Sequence, residues 1–118
     1  MPRLTVLIDA RNVLRSRWPN IPERQLVELC TAWARAAGHR AVLVFDGIAP
    51  AGDSNDHCDV VGSGAESADA WLERAAAELA ARGRRFWLVT SDRALRAAAG
   101  RHAERTIGGG AFVTELTG

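Results

Sequence analysis

The run Leu4-Thr5-Val6-Leu7-Ile8 ends on Asp9, and this abrupt change from strand-forming apolar residues to a carboxylate constrains the chain more than any other stretch. A strand covered on both faces reads as near-continuous Val, Ile and Leu, so the run is expected to lie inside a sheet. Nothing within such a strand needs an acid, which puts Asp9 where the chain leaves the core. The pattern recurs: Ala41-Val42-Leu43-Val44-Phe45 stops at Asp46, and Phe86-Trp87-Leu88-Val89-Thr90-Ser91 stops at Asp92. If helices separate these strands, the strands run parallel, and ligands of open α/β sheets sit outside the carboxyl ends. All three acids then share one edge. Carboxylates gathered this way raise one another's pKa unless a cation is present, which suggests a hard metal ion with oxygen ligands. The competing reading is a set of ordinary helix N-caps, a role that suits Asp92 ahead of Arg93-Ala94-Leu95-Arg96. Three such acids in one chain favour the shared site.

At 118 residues the chain is expected to form one domain, 1–118, large enough to bury a core without disulfides or metals. No apolar stretch approaches the roughly 20 residues of a bilayer crossing, and no basic segment followed by an apolar core opens the sequence. The expected setting is the cytoplasm, away from membranes. Cys30 and Cys58 make no disulfide framework and read as free thiols. A formal net charge of +1 excludes binding of nucleic acid by bulk charge. All 15 basic residues are Arg, so phosphate-loop and Schiff-base chemistries that need Lys are excluded.

Along the chain, 10–21 reads as a connection rich in Arg11, Asn12, Arg15, Arg17 and Trp18, with Pro19 and Pro22 preventing a long helix. Asn12 is placed to bond the loop or orient Asp9, and Trp18 reads more readily as a buried aromatic than as a base-stacking one. Pro22-Glu23 starts a helix whose apolar face is Leu26, Leu29, Cys30, Trp33 and Ala37, closed by Gly38. Residues 47–57 form a long polar loop. Asp56-His57-Cys58 lacks the spacing of a zinc site, and Gly62-Ser63-Gly64 after the short strand 59–61 is too little for a dinucleotide fingerprint. A helix over 65–82 buries Ala68, Trp71, Leu72, Ala75, Ala76 and Leu79, while Glu66, Asp69 and Glu73 share another side near the carboxyl edge. A short helix over 93–99 and a strand over 104–107 follow, and 111–118 reads equally as a final helix or a tail.

The ordered segments Asp9-x-x-Asn12, Val44-Phe45-Asp46, Glu66-Ser67-Ala68-Asp69-Ala70-Trp71-Leu72-Glu73 and Val89-Thr90-Ser91-Asp92 resemble the NYN domains of the PIN-like nuclease group, most closely the YacP-like branch. The likeness spans nearly the whole chain. Ser67 stands where Thr is commoner in that branch, and Leu72 where Ile is. The resemblance implies a PIN-like, doubly wound α/β fold with a mostly parallel sheet of four to five strands flanked by helices. It implies a metal-dependent ribonuclease, an endonuclease using Mg²⁺ or Mn²⁺, with Asp9, Asp69 and Asp92 as the principal metal acids. Asp46 and Glu66 would assist, Asn12 would orient, and Ser91 would position Asp92 or a ligand. Glu73 matches the motif but lies further down the helix. The branch also leaves room for a link to the ribosome.

The chemistry supports that assignment independently, because phosphodiester hydrolysis requires an activated water and shielding of phosphate charge. An acidic site repels RNA unless cations surround it, so Arg11, Arg15 and Arg17, with Arg93 and Arg96, are the candidates to meet the backbone. The alternatives are a catalytically inactive PIN-like module binding RNA or protein, and a toxin-type nuclease held by an inhibitor. A small-molecule phosphatase ranks below both: Arg11 occupies the place where Asp-x-Asp chemistry needs its second acid.

Overall fold

The computed structural model describes residues 3–50 and 54–118. Five parallel strands form one sheet in the order β3-β2-β1-β4-β5, comprising β1 (Leu4–Asp9), β2 (His39–Phe45), β3 (Cys58–Gly62), β4 (Phe86–Val89) and β5 (Arg105–Ile107). β1 is central, with Leu7 opposite Val42 on one side and Leu88 on the other. The strand order reverses at β1, so the crevice beyond the ends of β1 and β4 is the topological switch point, where open α/β folds bind ligands.

Alternation along the strands sends side chains to two cores. One face packs Val6, Ile8, Leu43 and Val89 under α1 (Ala10–Arg15), α2 (Glu23–Ala37) and α5 (Gly109–Thr117). The other packs Leu7, Val44, Phe86 and Leu88 under α3 (Ala68–Ala81) and α4 (Arg93–Ala98). Each fully buried Leu or Phe stabilises the fold by about 1.5–3 kcal/mol relative to exposure. Helices on both faces explain why the strands read as continuous apolar runs. Trp33 meets Phe112 edge to face at 5.0 Å, tying α2 to α5.

Several boundaries differ from the sequence expectation. The 10–21 connection opens with the six-residue α1, capped by Asp9 and ended at Ser16 before Pro19 is reached. In α2 the deeply buried positions are Leu26, Cys30 and Ala34, with Leu29 and Trp33 half-buried and Ala37 exposed. α3 begins at Ala68 because the Ser67 hydroxyl accepts from Ala70 N and caps it. This leaves Glu66 outside the helix. β4 ends at Val89, and Thr90 and Ser91 belong to the turn into α4. The undecided terminus is a helix, α5, whose Phe112 and Val113 are buried. Of the expected polar loop over 47–57, residues 51–53 lie outside the described residues. Cys58 points into the core, where burial pushes its thiol up to about 11, and His57 Nδ1 lies 3.3 Å from Arg3. Both cysteines are free and buried. No helix among the described residues is long and apolar enough to cross a membrane.

Candidate active site

At the carboxyl edge, a cleft of about 400 Å³ is lined by Asp9, Arg11, Asn12, Arg15, Asp46, Ser67, Ala68, Asp69 and Asp92. Four acids from four separate parts of the chain share its wall. Each is delivered by a strand end or a helix start, so the sheet fixes their positions.

Asp9 is the innermost, with 6% of its surface exposed. Its Oδ1 accepts from Asn12 N at 3.4 Å, and its Oδ2 accepts from the Thr90 hydroxyl at 3.1 Å. Burial raises the pKa of its carboxyl; the hydrogen bonds from Asn12 and Thr90 act against that rise, and the charges of Asp69 and Asp92 add to it. Asp92 accepts from Leu95 N at 2.9 Å and thereby caps α4. Asp46 Oδ1 accepts from Ala68 N at 2.9 Å, and its Oδ2 lies 3.5 Å from Arg11. The capping and shared-site readings are therefore compatible at Asp92, where capping occupies one oxygen and leaves the other available, whereas at Asp46 the second oxygen faces Arg11.

Asp69, in the first turn of α3, has no hydrogen-bond donor among the described residues. Burial raises its carboxyl's pKa, as do the charges of Asp92, Glu73 and Asp46. Electrostatic coupling of Asp69 to Asp9, Asp92 and Asp46 is what convergence on one cleft produces. The donor set is all carboxylate oxygen, which fits a hard divalent cation better than zinc or copper. Among the described residues no group of three acidic, histidine or cysteine side chains is close enough to enclose an ion. Such spacing fits a cation that keeps several waters and needs only one or two carboxylates, as Mg²⁺ does.

Other expected residues are placed differently. Glu66 is absent from the lining, and its carboxylate pairs with Arg74 on α3. Ser91 does not reach Asp92 through its hydroxyl: its Oγ accepts from Gly109 N at 2.9 Å, and its backbone N–H donates to Asn12 Oδ1 at 2.9 Å. Asn12 thus joins the start of α1 to the turn before α4. Among the arginines, Arg11 and Arg15 reach the cleft, whereas Arg17 donates to Thr114 on α5 and Arg96 to the Thr90 carbonyl at 2.9 Å. Trp18, expected to be buried, is 89% exposed, because the turn that carries it stands clear of both cores.

Thr90 is the residue the sequence reading passed over. It is fully buried, donates to Asp9 and accepts from Asp92 N at 3.2 Å, so one hydroxyl joins two acids of the cleft. The available signal was a hydroxyl residue closing an apolar strand immediately before Ser91-Asp92.

The fold aligns with the crystal structure of Rae1 (YacP) from Bacillus subtilis at a TM-score of 0.75 and 20% identity, covering 99% of this chain and 74% of that one. The W164L mutant of the same protein aligns at 0.74 and 18% identity, covering 97% and 75%. No curated protein matches the sequence. The family profile of the YacP-like NYN domain matches residues 6–117. That match takes in β1 from Val6 onward, the other four strands and every acid of the cleft, and the chain belongs to the YacP-like NYN domain family.

Proposed function

We propose that this domain is a metal-dependent endoribonuclease that hydrolyses RNA phosphodiester bonds in the cleft beyond β1 and β4. The observation that carries the reading is the meeting of Asp9, Asp46, Asp69 and Asp92 in one cavity with Arg11 and Arg15. Membership of the NYN family supports RNA as the substrate.

Asp9, Asp69 and Asp92 are the acids that would supply the one or two carboxylates needed by a largely hydrated Mg²⁺ or Mn²⁺. When bound, such an ion would supply neutralisation of phosphate charge and a water more acidic, and so more readily deprotonated, than bulk water. The protein's own contribution is placement. Thr90 and Asn12 N fix both oxygens of Asp9, so that carboxylate does not rotate away. Asp46 balances Arg11, whose guanidinium is thereby held at the cleft beside the acids. Arg11 and Arg15 would receive the phosphates flanking the reacting one, offsetting the repulsion between RNA and four carboxylates.

One observation favours an inactive module that binds RNA or protein: no closed three-ligand set exists among the described residues. Against it, a surface evolved only to hold RNA gains affinity by losing acids, and this cleft keeps four. The deciding experiment compares the wild type with Asp9→Asn and Asp92→Asn on a panel of linear and circular RNAs, with Mg²⁺, with Mn²⁺ and with chelator. Cleavage that needs the ion, cuts circles and disappears in both variants while their circular dichroism is unchanged is the expected result. Undiminished cutting in both variants rejects the mechanism, and cutting of linear RNA alone rejects the internal mode.

A further inference from the structure

Among the described residues two large apolar side chains stand in solvent, Trp18 and Ile48, and Trp18 is the more unusual because an indole is the costliest group to leave uncovered. Trp33, Trp71 and Trp87 are half-buried against the two cores. Trp18 lies three residues beyond Arg15, which lines the cleft. The turn that carries it is tied down from several sides. The Ser16 hydroxyl donates to Val13 O at 2.6 Å, and the Arg17 guanidinium donates to Thr114 on α5. The Asn20 amide, oriented to donate, reaches Leu14 O at 3.0 Å and Arg17 O at 2.9 Å. A loose turn would let the indole fold back onto apolar surface; this one presents it at a fixed place.

We infer that Trp18 is a stacking platform for an unpaired base of the RNA strand whose phosphates enter the cleft. This rests on the proposed function and deepens it. The chemistry of the surroundings selects the occupant. Arg11 and Arg15 line the cleft on the same short segment, and a nucleotide combines a flat apolar face with an anionic backbone, matching an indole beside guanidinium groups. Bases of an intact duplex are already stacked and paired, and reach such a platform only by leaving the helix. Stacking is sequence-tolerant, since every base has a π-face, so Trp18 confers preference for strandedness without a sequence preference of its own.

The test measures fluorescence anisotropy of a labelled RNA strand of about ten nucleotides, a length of the order of one single-strand binding site, on the full chain in chelator. The same sequence is measured as a duplex, and KM and kcat for cleavage are measured in Mg²⁺. Trp18→Ala and Trp18→Leu should weaken single-strand binding by about 5- to 150-fold. Trp18→Phe should keep most of the affinity, and duplex binding should be the same in all four proteins. KM should rise in Trp18→Ala with kcat unchanged, and the salt dependence of binding should keep its slope, because no phosphate contact is lost. Single-strand affinity and KM of Trp18→Ala within twofold of wild type overturn the inference, as does equal behaviour of the Leu and Phe variants. Dissociation of a wild-type oligomer in Trp18→Ala with RNA affinity unaltered would assign the indole to a second copy of the chain instead. A wild type that neither binds nor cuts RNA removes the proposed function along with this inference, whereas a wild type that cuts, with Trp18→Ala its equal, removes this inference alone.

Discussion

The Thr90 hydroxyl donates to Asp9 Oδ2 across 3.1 Å, joining the turn after β4 to the carboxylate at the end of β1; Thr90 is fully buried and Asp9 nearly so. The same oxygen accepts from Asp92 N, so its removal leaves a turn amide and a buried carboxylate oxygen short of partners. Thr90→Val keeps the shape and deletes the hydroxyl. It should cost about 1–3 kcal/mol of stability, the usual penalty for stranded buried polar groups. Cleavage should fall with it, chiefly in kcat, since Asp9 loses its orientation. Thr90→Ser restores the hydroxyl and should recover most of both. Urea unfolding and steady-state kinetics on the two variants check this; a Val variant as stable and active as the Ser one would show that the bond holds nothing in place.

Asp9 and Asp69 give stability a pH dependence of definite sign in metal-free solution. Burial is the first cause of the raised carboxyl pKa at both residues, and neighbouring acids add to it. A carboxyl pKa raised by folding means that the folded chain holds the proton more tightly than the unfolded one. The contribution of these two residues to stability is therefore greatest below the unfolded carboxyl pKa and declines as pH rises through the folded value. Asp9→Asn removes one ionisation while keeping an oxygen to accept from Asn12 N. Its stability should match or exceed that of the wild type at neutral pH, with the gap closing as the solution is acidified through the carboxyl range. Denaturation with chelator from about pH 4 to pH 8 measures it; parallel curves for the two proteins would contradict the strain assigned to the buried acid.

The centre of the sheet was legible because β1, β2 and β4 are short apolar runs soon stopped by a carboxylate, a pattern that local residues carry by themselves. α3 was legible for a similar reason: Ala68, Leu72 and Ala76 repeat at helical spacing and are buried. What depends on non-local packing was not. The spacing of Leu26, Leu29, Cys30 and Trp33 shows that α2 is amphipathic, but its rotation is set by the sheet, which buries Ala34 and leaves Ala37 out. Trp18 reads as core material until the position of its turn is known. Thr90 looks like one more strand residue until β1 and β4 are placed side by side. Sequence motifs brought Glu66 and Ser91 into the candidate site, while their side chains bond Arg74 and Gly109, contacts that no spacing rule specifies.

A divalent cation should stabilise the fold as well as serve the reaction. Mg²⁺ or Mn²⁺ bound by the folded chain alone adds about 2.7 kcal/mol at a hundred times its dissociation constant. Relief of repulsion among Asp9, Asp69 and Asp92 is the physical source, and Asp69 is the acid without a donor among the described residues. Asp69→Asn should therefore abolish most of the rise in Tm on titration with either ion, while its metal-free Tm at neutral pH matches or exceeds that of the wild type. Thermal unfolding at increasing ion concentration reads this without reference to activity. A wild type indifferent to both ions, or a variant that responds equally, would remove the cation from the cleft.

Gly109 and Gly110 are neighbours in the first turn of α5 and should respond oppositely to the same substitution. A Cβ on Gly109 would lie 2.6 Å from Asn12 Oδ1, 3.1 Å from Asn12 O and 3.3 Å from Ser16 Cβ. A backbone carbonyl cannot yield as a flexible side chain does, so α5 or α1 must shift, and overpacking of this kind costs about 1–3 kcal/mol. A Cβ on Gly110 meets nothing within 4 Å. There alanine only restricts the unfolded chain, a gain of about 0.4–1 kcal/mol. The consequence extends to the cleft, because the crowded Asn12 oxygen is the acceptor for Ser91 N, one residue before Asp92. Gly109→Ala should lose cleavage beyond what its stability loss explains when assayed well below its Tm, while Gly110→Ala keeps full activity. Equal stability of the two variants would show that the start of α5 is not pressed against Asn12, and that the Asn12 to Ser91 bond holds the turn without help from the last helix.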